Sequence, residues 1–189
     1  MRLLTRSPSE WLQAVLSDFD TFLLDHAANE RKASSMAMSM VAHYPDRPQL
    51  ADAMIDLALE ELNHFRQVYR LLVARGLVLA ADEKDLYVNS LRRHIRKPSA
   101  EFLLDRLLSA AVIEARGAER FAEIGANIKD DKLARFYQTL AKSEAQHHQL
   151  FTDLAYEYFD QAAVDLRLQE WLTLEAKAME QQPIHAKLH

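Results

Sequence analysis

The 189-residue chain contains no cysteine. This excludes a disulfide framework, a cysteine-ligated zinc site, an iron–sulfur cluster and a cysteine nucleophile. Glycine (3) and proline (5) are also scarce, and a β-sandwich or β-barrel needs more of both in its turns. The composition therefore favours an all-α protein, in which any metal ion must be held by Glu, Asp or His side chains.

Long apolar runs are absent as well. No segment approaches the roughly 20 apolar residues of a membrane-spanning helix, and the start of the chain, MRLLTRSPSEW, lacks the apolar core of a signal peptide. We therefore expect a cytoplasmic protein with no membrane partner. The length predicts a single domain over residues 1–189. The net charge of −5 argues against nucleic-acid binding through bulk charge but is compatible with a local basic patch.

Apolar residues recur with the period of an α-helix along most of the chain. The pattern predicts long helices over about 18–43, 48–75, 98–125 and 130–159, and short helices after Ser7 and over about 83–95 and 163–180. Apolar positions on the long helices alternate by three and four residues, as in packed helix bundles. We therefore expect a four-helix bundle with additional short helices and a long crossover between its halves.

The apolar stripe of each long helix is interrupted near its middle by acidic residues or histidine. The interrupting residues are Glu30 on the first helix, Glu61 and His64 on the second, Glu114 on the third, and Glu144 and His147 on the fourth. A buried glutamate without a partner costs several kcal/mol or becomes neutral. Because all four helices make this exception at the same height, we infer that the side chains meet around cations.

The spacing of these residues repeats between the two halves of the chain. Glu61 precedes His64 by three positions, and Glu144 precedes His147 by three, so each pair projects from one helix face. The offset between the halves is 84 for the first Glu (30 to 114) and 83 for the second (61 to 144). The sequence therefore contains a repeated helix hairpin that carries Glu followed by Glu-x-x-His.

One Glu from each of two helices plus Glu-x-x-His from each of the other two is the ligand set of di-iron and di-manganese carboxylate bundles. Four carboxylates balance two divalent cations, and oxygen-rich ligation suits iron or manganese. A single Glu-x-x-His is common on exposed helix faces, but two copies in the core register favour a metal site. Glu60 and His148 lie off the stripes and are predicted to be surface residues.

Five further segments form a recognisable pattern: LLDHAANERKAS (23–34), LALEELNHFRQV (57–68), LRRHIR (91–96), VIEARGAERF (112–121) and LAKSEAQHHQLF (140–151). They resemble the ferritin-like superfamily and, more closely, the tRNA (2-methylthio-isopentenyladenosine) hydroxylases. The patterns DHAxxExKA, LRR and EARxxERF are the more specific part, because Glu-x-x-His pairs occur throughout the superfamily. Gly117-Ala118 is a small departure from the expected residues.

The resemblance implies a dioxygen-dependent di-iron monooxygenase that hydroxylates the isopentenyl group of a hypermodified adenosine in tRNA. It implies Glu30, Glu61 and His64 as ligands of one iron, and Glu114, Glu144 and His147 as ligands of the other, with one or two Glu bridging. Iron is expected rather than manganese. An external reductase or ferredoxin would supply electrons, because the chain has no flavin or iron–sulfur motif.

A basic run, Arg92, Arg93, Arg96 and Lys97, is the predicted tRNA contact. The charges alone fit a solvated surface run equally well, and the resemblance favours RNA. Further candidates for the basic patch are Arg2, Arg6, Arg116 and Arg120, and candidates for stacking on a base are Phe22, Tyr87 and Phe121. Candidates for orienting the two histidine ligands are Asp25, His26 and Glu119.

The same ligand set leaves other functions open. A ferritin-like iron-binding oxidase or storage protein uses equivalent residues, although storage needs a multi-subunit cage. A peroxide-reducing enzyme of the rubrerythrin type usually carries a cysteine-ligated iron domain, which this chain lacks. A structural bundle without metal is the remaining alternative, and elemental analysis would separate it from the others.

Overall fold

The computed structural model describes the backbone of residues 1–189 and every side chain except those of Ser99 and Ala100. This part of the chain contains seven helices and no strand, which confirms the all-α prediction. The helices are α1 (Ser9–Ser17), α2 (Phe19–His43), α3 (Pro48–Ala74), α4 (Leu86–Arg92), α5 (Ser99–Asn127), α6 (Asp131–Tyr158) and α7 (Gln161–Glu180). Over the described residues, no helix has an apolar stretch long enough to cross a membrane.

Local sequence signals set the ends of these helices. Asp18 caps α2 by accepting a hydrogen bond from the Thr21 N–H at 3.2 Å, and Pro48 occupies the first turn of α3. Gly76 follows the end of α3 in the left-handed region, with φ of 74°, at the place where the predicted helix over about 48–75 stops.

The helix α5 ends at Asn127, two residues after the predicted end near residue 125, and Gly125 lies in its last turn. A Cβ atom at Gly125 would lie 2.9 Å from Cγ and 3.0 Å from the backbone N of Gln138 on α6. The Gln138 amide also donates a hydrogen bond to the Gly125 carbonyl. This glycine therefore permits close packing of α5 on α6 rather than a helix stop.

The chain divides into two compact units. The first comprises residues 1–12, 84–184 and 189, and the second comprises residues 13–83 and 185–188. In the second unit, α2 and α3 form an antiparallel hairpin across a short loop, with Leu23, Met40 and Met54 fully buried. The single-domain prediction stays a prediction.

In the first unit, α5 and α6 form the equivalent antiparallel hairpin, and α4 and α7 pack against it. Trp171 of α7 and Tyr87 of α4 are fully buried, as are Phe121 of α5 and Tyr137 of α6. The two aromatic rings of α5 and α6 meet with centroids 5.6 Å apart. Tyr87 and Phe121, two candidates for base stacking, are therefore core residues, and Phe22 is equally buried in the second unit.

A buried carboxylate, Asp105 on α5, joins α5 to α7 and to the segment before α5. It accepts hydrogen bonds from Arg167 at 2.7 and 2.9 Å and from the side chain of Arg96 at 2.9 and 3.0 Å. It also accepts from the indole N–H of Trp171 at 3.3 Å. Burial opposes ionisation, but the two guanidinium groups outweigh it and hold the pKa of Asp105 below its usual value of 3.8.

We expect Asp105→Asn to lower the free energy of unfolding at neutral pH by about 2 kcal/mol, since a buried ion pair is broken but Arg96 remains half-exposed. A carboxylate whose pKa is lower in the folded state than in the unfolded state stabilises the protein fully above the unfolded-state pKa. This stabilisation is lost as the pH falls through the folded-state pKa. The difference between variant and wild type should therefore be constant above about pH 5 and shrink below about pH 4. Urea unfolding across this range measures it, and a pH-independent difference would contradict the assignment.

Candidate metal-ligand residues

In the second unit, Glu30 of α2 lies against Glu61 and His64 of α3. All three side chains are buried, and each offers a ligand atom within 4.8 Å of the others. The antiparallel hairpin explains this arrangement, because it sets the middle of α2 beside the middle of α3. The structure thus brings together the three residues of the first half-repeat, as the spacing predicts.

The histidine of this cluster is held between the two carboxylates. His64 Nδ1 lies 3.3 Å from Glu61 Oε2 and 3.6 Å from Glu30 Oε2. Burial favours the neutral ring, but hydrogen bonding to Glu30 and Glu61 raises the pKa of His64 to about 10. The cluster therefore attracts positive charge strongly, and His64 Nδ1 faces the position where a cation would meet both carboxylates.

A second histidine, His26, supports Glu30 from within α2. Its Nε2 lies 2.6 Å from Glu30 Oε1. Burial tends to raise the pKa of Glu30, but contacts with His26 and His64 outweigh it and lower that pKa well below the usual range. His26 therefore orients a predicted carboxylate ligand, not a histidine ligand as the sequence suggested.

The other two candidates for this orienting role have different partners. Asp25 accepts hydrogen bonds from the Asn29 amide at 2.9 Å and from the Leu188 N–H at 2.8 Å. Glu119 accepts from the backbone and hydroxyl of Ser7 at 2.9 and 2.7 Å. These two carboxylates therefore bind the chain ends to helices rather than orienting the histidine ligands.

In the first unit, Glu114 of α5 lies against Glu144 and His147 of α6. These side chains are again buried and offer ligand atoms within 4.8 Å of one another. His147 Nδ1 lies 3.1 Å from Glu144 Oε2. The equivalent nitrogen of His64 faces the equivalent oxygen of Glu61 in the second unit. Each unit thus repeats one donor set of two carboxylates and one imidazole, whose charge and atom types suit a divalent cation such as iron or manganese.

The neighbouring off-stripe residues differ in exposure. Glu60 is exposed, as predicted, and the shortest contact of its carboxylate with His64 Nε2 is 3.9 Å. His148 is half-buried rather than exposed, and burial lowers its pKa. It lines a cavity instead of joining the ligand cluster.

This cavity, of about 740 Å³, lies between the start of the chain and the α5–α6 hairpin. Residues 1–6 form one wall, and small residues of the two helices form the other. Ala115 and Ala118 follow Glu114 by one and four positions, and Ala145 and His148 follow Glu144 by the same steps. Because residues four apart share a helix face, the cavity wall lies one helical turn from both carboxylates.

A buried polar network holds this wall in place. Arg116 of α5 is fully buried and donates to Glu175 of α7 at 2.8 Å, to Glu119 at 3.0 Å and to the Thr5 carbonyl at 2.9 Å. Tyr87 donates its hydroxyl to the same Glu175 oxygen at 3.1 Å. Sequence reasoning missed Glu175, although it interrupts the apolar stripe of α7 formed by Trp171, Leu172 and Ala178.

Arg120 completes the network. Its guanidinium lies 4.5 Å from the centroid of the Trp11 ring and donates to the Ser7 hydroxyl at 3.0 Å. Burial lowers the pKa of Arg120 to about 10. Arg116 and Arg120 are therefore interior residues, and the suggestion that they extend a surface patch for RNA was wrong.

The residues predicted to contact tRNA lie in two different environments. Arg92, Arg93 and Lys97 are exposed, whereas Arg96 is bound to Asp105. Arg2 and Arg6, also exposed, lie at the cavity. The exposed cations are thus available to a polyanion, and Arg96 serves to fix the segment that carries them.

The chain is similar over its length to proteins of one family. The sequence model of a family described as tRNA-(MS²IO⁶A)-hydroxylase (MiaE) matches residues 2–189. A tRNA 2-(methylsulfanyl)-N(6)-isopentenyladenosine(37) hydroxylase of Pseudomonas putida is 42% identical over 158 residues, which cover 84% of this chain and 77% of that protein. The hydroxylase of the same name from Salmonella typhimurium is 33% identical over 155 residues, covering 76% of this chain and 57% of that protein.

A solved structure shares the fold. It is Protein 43 with aldehyde deformylating oxygenase activity from Synechococcus, with a TM-score of 0.94 and 34% sequence identity, covering 100% of this chain and 96% of that chain. This likeness confirms the predicted ferritin-like helical fold. With the family match over almost the whole sequence, it follows that the chain belongs to the tRNA-(MS²IO⁶A)-hydroxylase (MiaE) family.

Proposed function

We propose that this protein is a di-iron, dioxygen-dependent monooxygenase that hydroxylates the isopentenyl group of a modified adenosine in tRNA. The observation that carries the proposal is a buried cluster of two glutamates and one histidine, present once in each unit of a chain that belongs to this family. The cavity next to one of these clusters suits an organic substrate.

In this proposal each cluster holds one iron ion. The ligands are Glu30, Glu61 and His64 in the second unit and Glu114, Glu144 and His147 in the first unit. Each donor set carries two negative charges, which match one divalent cation, and His64 must lose its proton when the metal binds. When bound, the iron supplies the activation of dioxygen that side chains alone cannot provide.

The protein's own residues position the substrate and exclude water. The proposed path for the modified base is the cavity bounded by residues 1–6, because its wall lies one turn from Glu114 and Glu144. Apolar side chains such as Leu3 and Leu4 suit a branched hydrocarbon group, and Arg2 and Arg6 suit the adjoining phosphates. Arg116 and Glu119 keep this wall in place through Thr5 and Ser7.

A tRNA substrate places the activity in the cytoplasm. The reaction also needs two electrons from an external reductase or ferredoxin, since the sequence has no cysteine to hold an iron–sulfur cluster. The proposal is tested by mass analysis of tRNA nucleosides from a strain that lacks this protein. We expect loss of the hydroxylated adenosine and accumulation of its isopentenyl precursor, with recovery when the gene is restored.

Two other results would refute this function. An unchanged nucleoside profile combined with iron-filled assemblies of many subunits would support a ferritin-like storage or oxidase role. An unchanged profile combined with conversion of an aldehyde would support an activity like that named for the Synechococcus protein.

The exposed cations of the basic run give a separate prediction. Arg92→Glu with Arg93→Glu should weaken tRNA binding by about tenfold or more at physiological salt, because two phosphate contacts are replaced by repulsion. Iron content should not change, since both residues lie outside the ligand clusters. Filter binding at several salt concentrations measures the affinity and its salt slope, with Lys129→Glu, on an exposed turn elsewhere, as the control. An unaltered slope would exclude this run as an RNA contact.

A further inference from the structure

The chain has three glycines, and two of them have a clear structural reason. Gly76 has a φ of 74°, a conformation that favours glycine. A Cβ atom at Gly125 would lie 2.9 Å from Gln138 Cγ. Gly117 has neither reason. Its φ is not positive, and a Cβ atom built on it would have no heavy atom of the described residues within 4 Å, apart from its two chain neighbours and its own helix backbone.

Gly117 nevertheless lies in the middle of α5, on the buried stripe that carries a predicted metal ligand. The members of this stripe follow one another at steps of four and three and are all buried: Leu103, Leu107, Ala110, Glu114, Gly117 and Phe121. Each of the other positions fills the interior with a side chain. At Gly117 the stripe borders open space, one helical turn from the Glu114 carboxylate.

A glycine at this position is unfavourable for the fold. In the middle of a helix glycine is less stable than alanine, because its backbone loses more conformational freedom on folding. Protein interiors are close-packed, so open space beside a buried residue also means that dispersion contacts are missing. No contact of Gly117 in the described structure offsets these two losses. The open space is therefore the feature that a larger residue would remove.

The location of this space indicates what it receives. Ala118 follows Glu114 by four positions and lines the cavity proposed as the path of the modified base. Gly117 follows Glu114 by three positions and borders the open space. Residues three and four apart are neighbours on a helix surface. The space thus lies beside a predicted ligand and close to the substrate path, and its stripe neighbours Ala110 and Phe121 are apolar.

We propose that the space beside Gly117 receives the branched end of the isopentenyl group, and that Gly117 limits the size of the N6 substituent that the protein accepts. This inference rests on the proposed function. The branched end carries two methyl groups, and a side chain at position 117 would compete with them for the same volume. In a hydrophobic pocket one methylene group changes selectivity by about 10- to 200-fold.

Stability tests whether the space is open. Gly117→Ala should raise the urea concentration at the midpoint of unfolding, because alanine favours the helix and meets no obstacle. Gly125→Ala, the same change on the same helix, should lower the midpoint because its Cβ atom collides with Gln138. A lower midpoint for Gly117→Ala would show that the position is already filled and would overturn the proposal.

RNA binding tests what enters the space. Two anticodon stem-loops, one with isopentenyladenosine and one with adenosine, are compared without reductant so that no turnover occurs. The wild type should bind the isopentenyl loop more tightly, because the hydrocarbon group leaves water. Gly117→Leu should reduce this preference at least about tenfold and leave the affinity for the adenosine loop unchanged. Gly125→Ala should keep the wild-type preference. An unchanged preference in Gly117→Leu would overturn the proposal.

A smaller substrate separates a filled pocket from general damage. N6-(but-2-enyl)adenosine lacks one terminal methyl group of the isopentenyl substituent, and both of its isomers are tested in the same stem-loop. Relative to the wild type, Gly117→Ala should shift its preference towards one isomer by about tenfold. Equal losses on all loops would contradict the proposal. Wild-type protein that does not hydroxylate the isopentenyl loop would refute the proposed function itself, whereas normal wild-type turnover with no shift in Gly117→Ala would refute only the role of Gly117.

Discussion

A Glu61→Ala variant is expected to lose bound iron and hydroxylase activity by more than about 100-fold, whereas Glu60→Ala should keep both. Glu61 is buried against Glu30 and His64, so its removal takes away an anionic ligand and half of the charge that its cluster offers to a cation. Changes to residues that only support a ligand already cost about 10- to 100-fold. Iron per chain by elemental analysis and single-turnover hydroxylation of precursor tRNA measure the two losses.

The neighbouring glutamate is a close control for this experiment. Glu60 has the same chemistry, lies one position away and is exposed. Helix propensity and net charge therefore change equally in the two variants. Normal iron content in Glu61→Ala would remove this residue from the ligand set, and equal losses in both variants would show that the charge of α3, not ligation, determines iron binding.

The sequence predicted these ligand residues because metal binding imposes a strict pattern. Carboxylates and imidazoles in a core register are costly unless a cation joins them, and the repeat of Glu and Glu-x-x-His made chance occurrence improbable. The hairpins are equally predictable, since Pro48 and Gly76 mark the ends of α3. The structure groups each triple as the spacing predicts, and their assignment as iron ligands stays a prediction.

Features that depend on distant contacts could not be predicted in the same way. Gly125 lies at the predicted end of a helix, but its role in packing depends on the approach of Gln138 from α6. Arg116 resembles a surface cation until Glu175, 59 positions later, is placed beside it. Periodicity reports which face of a helix is apolar, and it does not report which buried polar residues of different helices become partners.

The Arg116–Glu175 pair should show the largest effect on stability. Both side chains are fully buried, 2.8 Å apart. We expect Glu175→Ala to lower the free energy of unfolding by about 3–5 kcal/mol, because it leaves a buried guanidinium with reduced compensation and removes the acceptor of the Tyr87 hydroxyl. Urea unfolding followed by circular dichroism measures the loss.

A double-mutant cycle distinguishes the ion pair from simple loss of packing. Arg116→Met with Glu175→Leu removes both charges but keeps the volume, so it should recover most of the stability that either single change loses. Arg116 also donates to the Thr5 carbonyl at the cavity wall, and this contact is missing in the double variant. The double variant should therefore unfold near the wild-type urea concentration and yet bind tRNA less tightly. If the stability losses of the two single variants simply added up in the double variant, the ion-pair assignment would be contradicted. If tRNA binding were unchanged, the N-terminal segment would not contact the substrate.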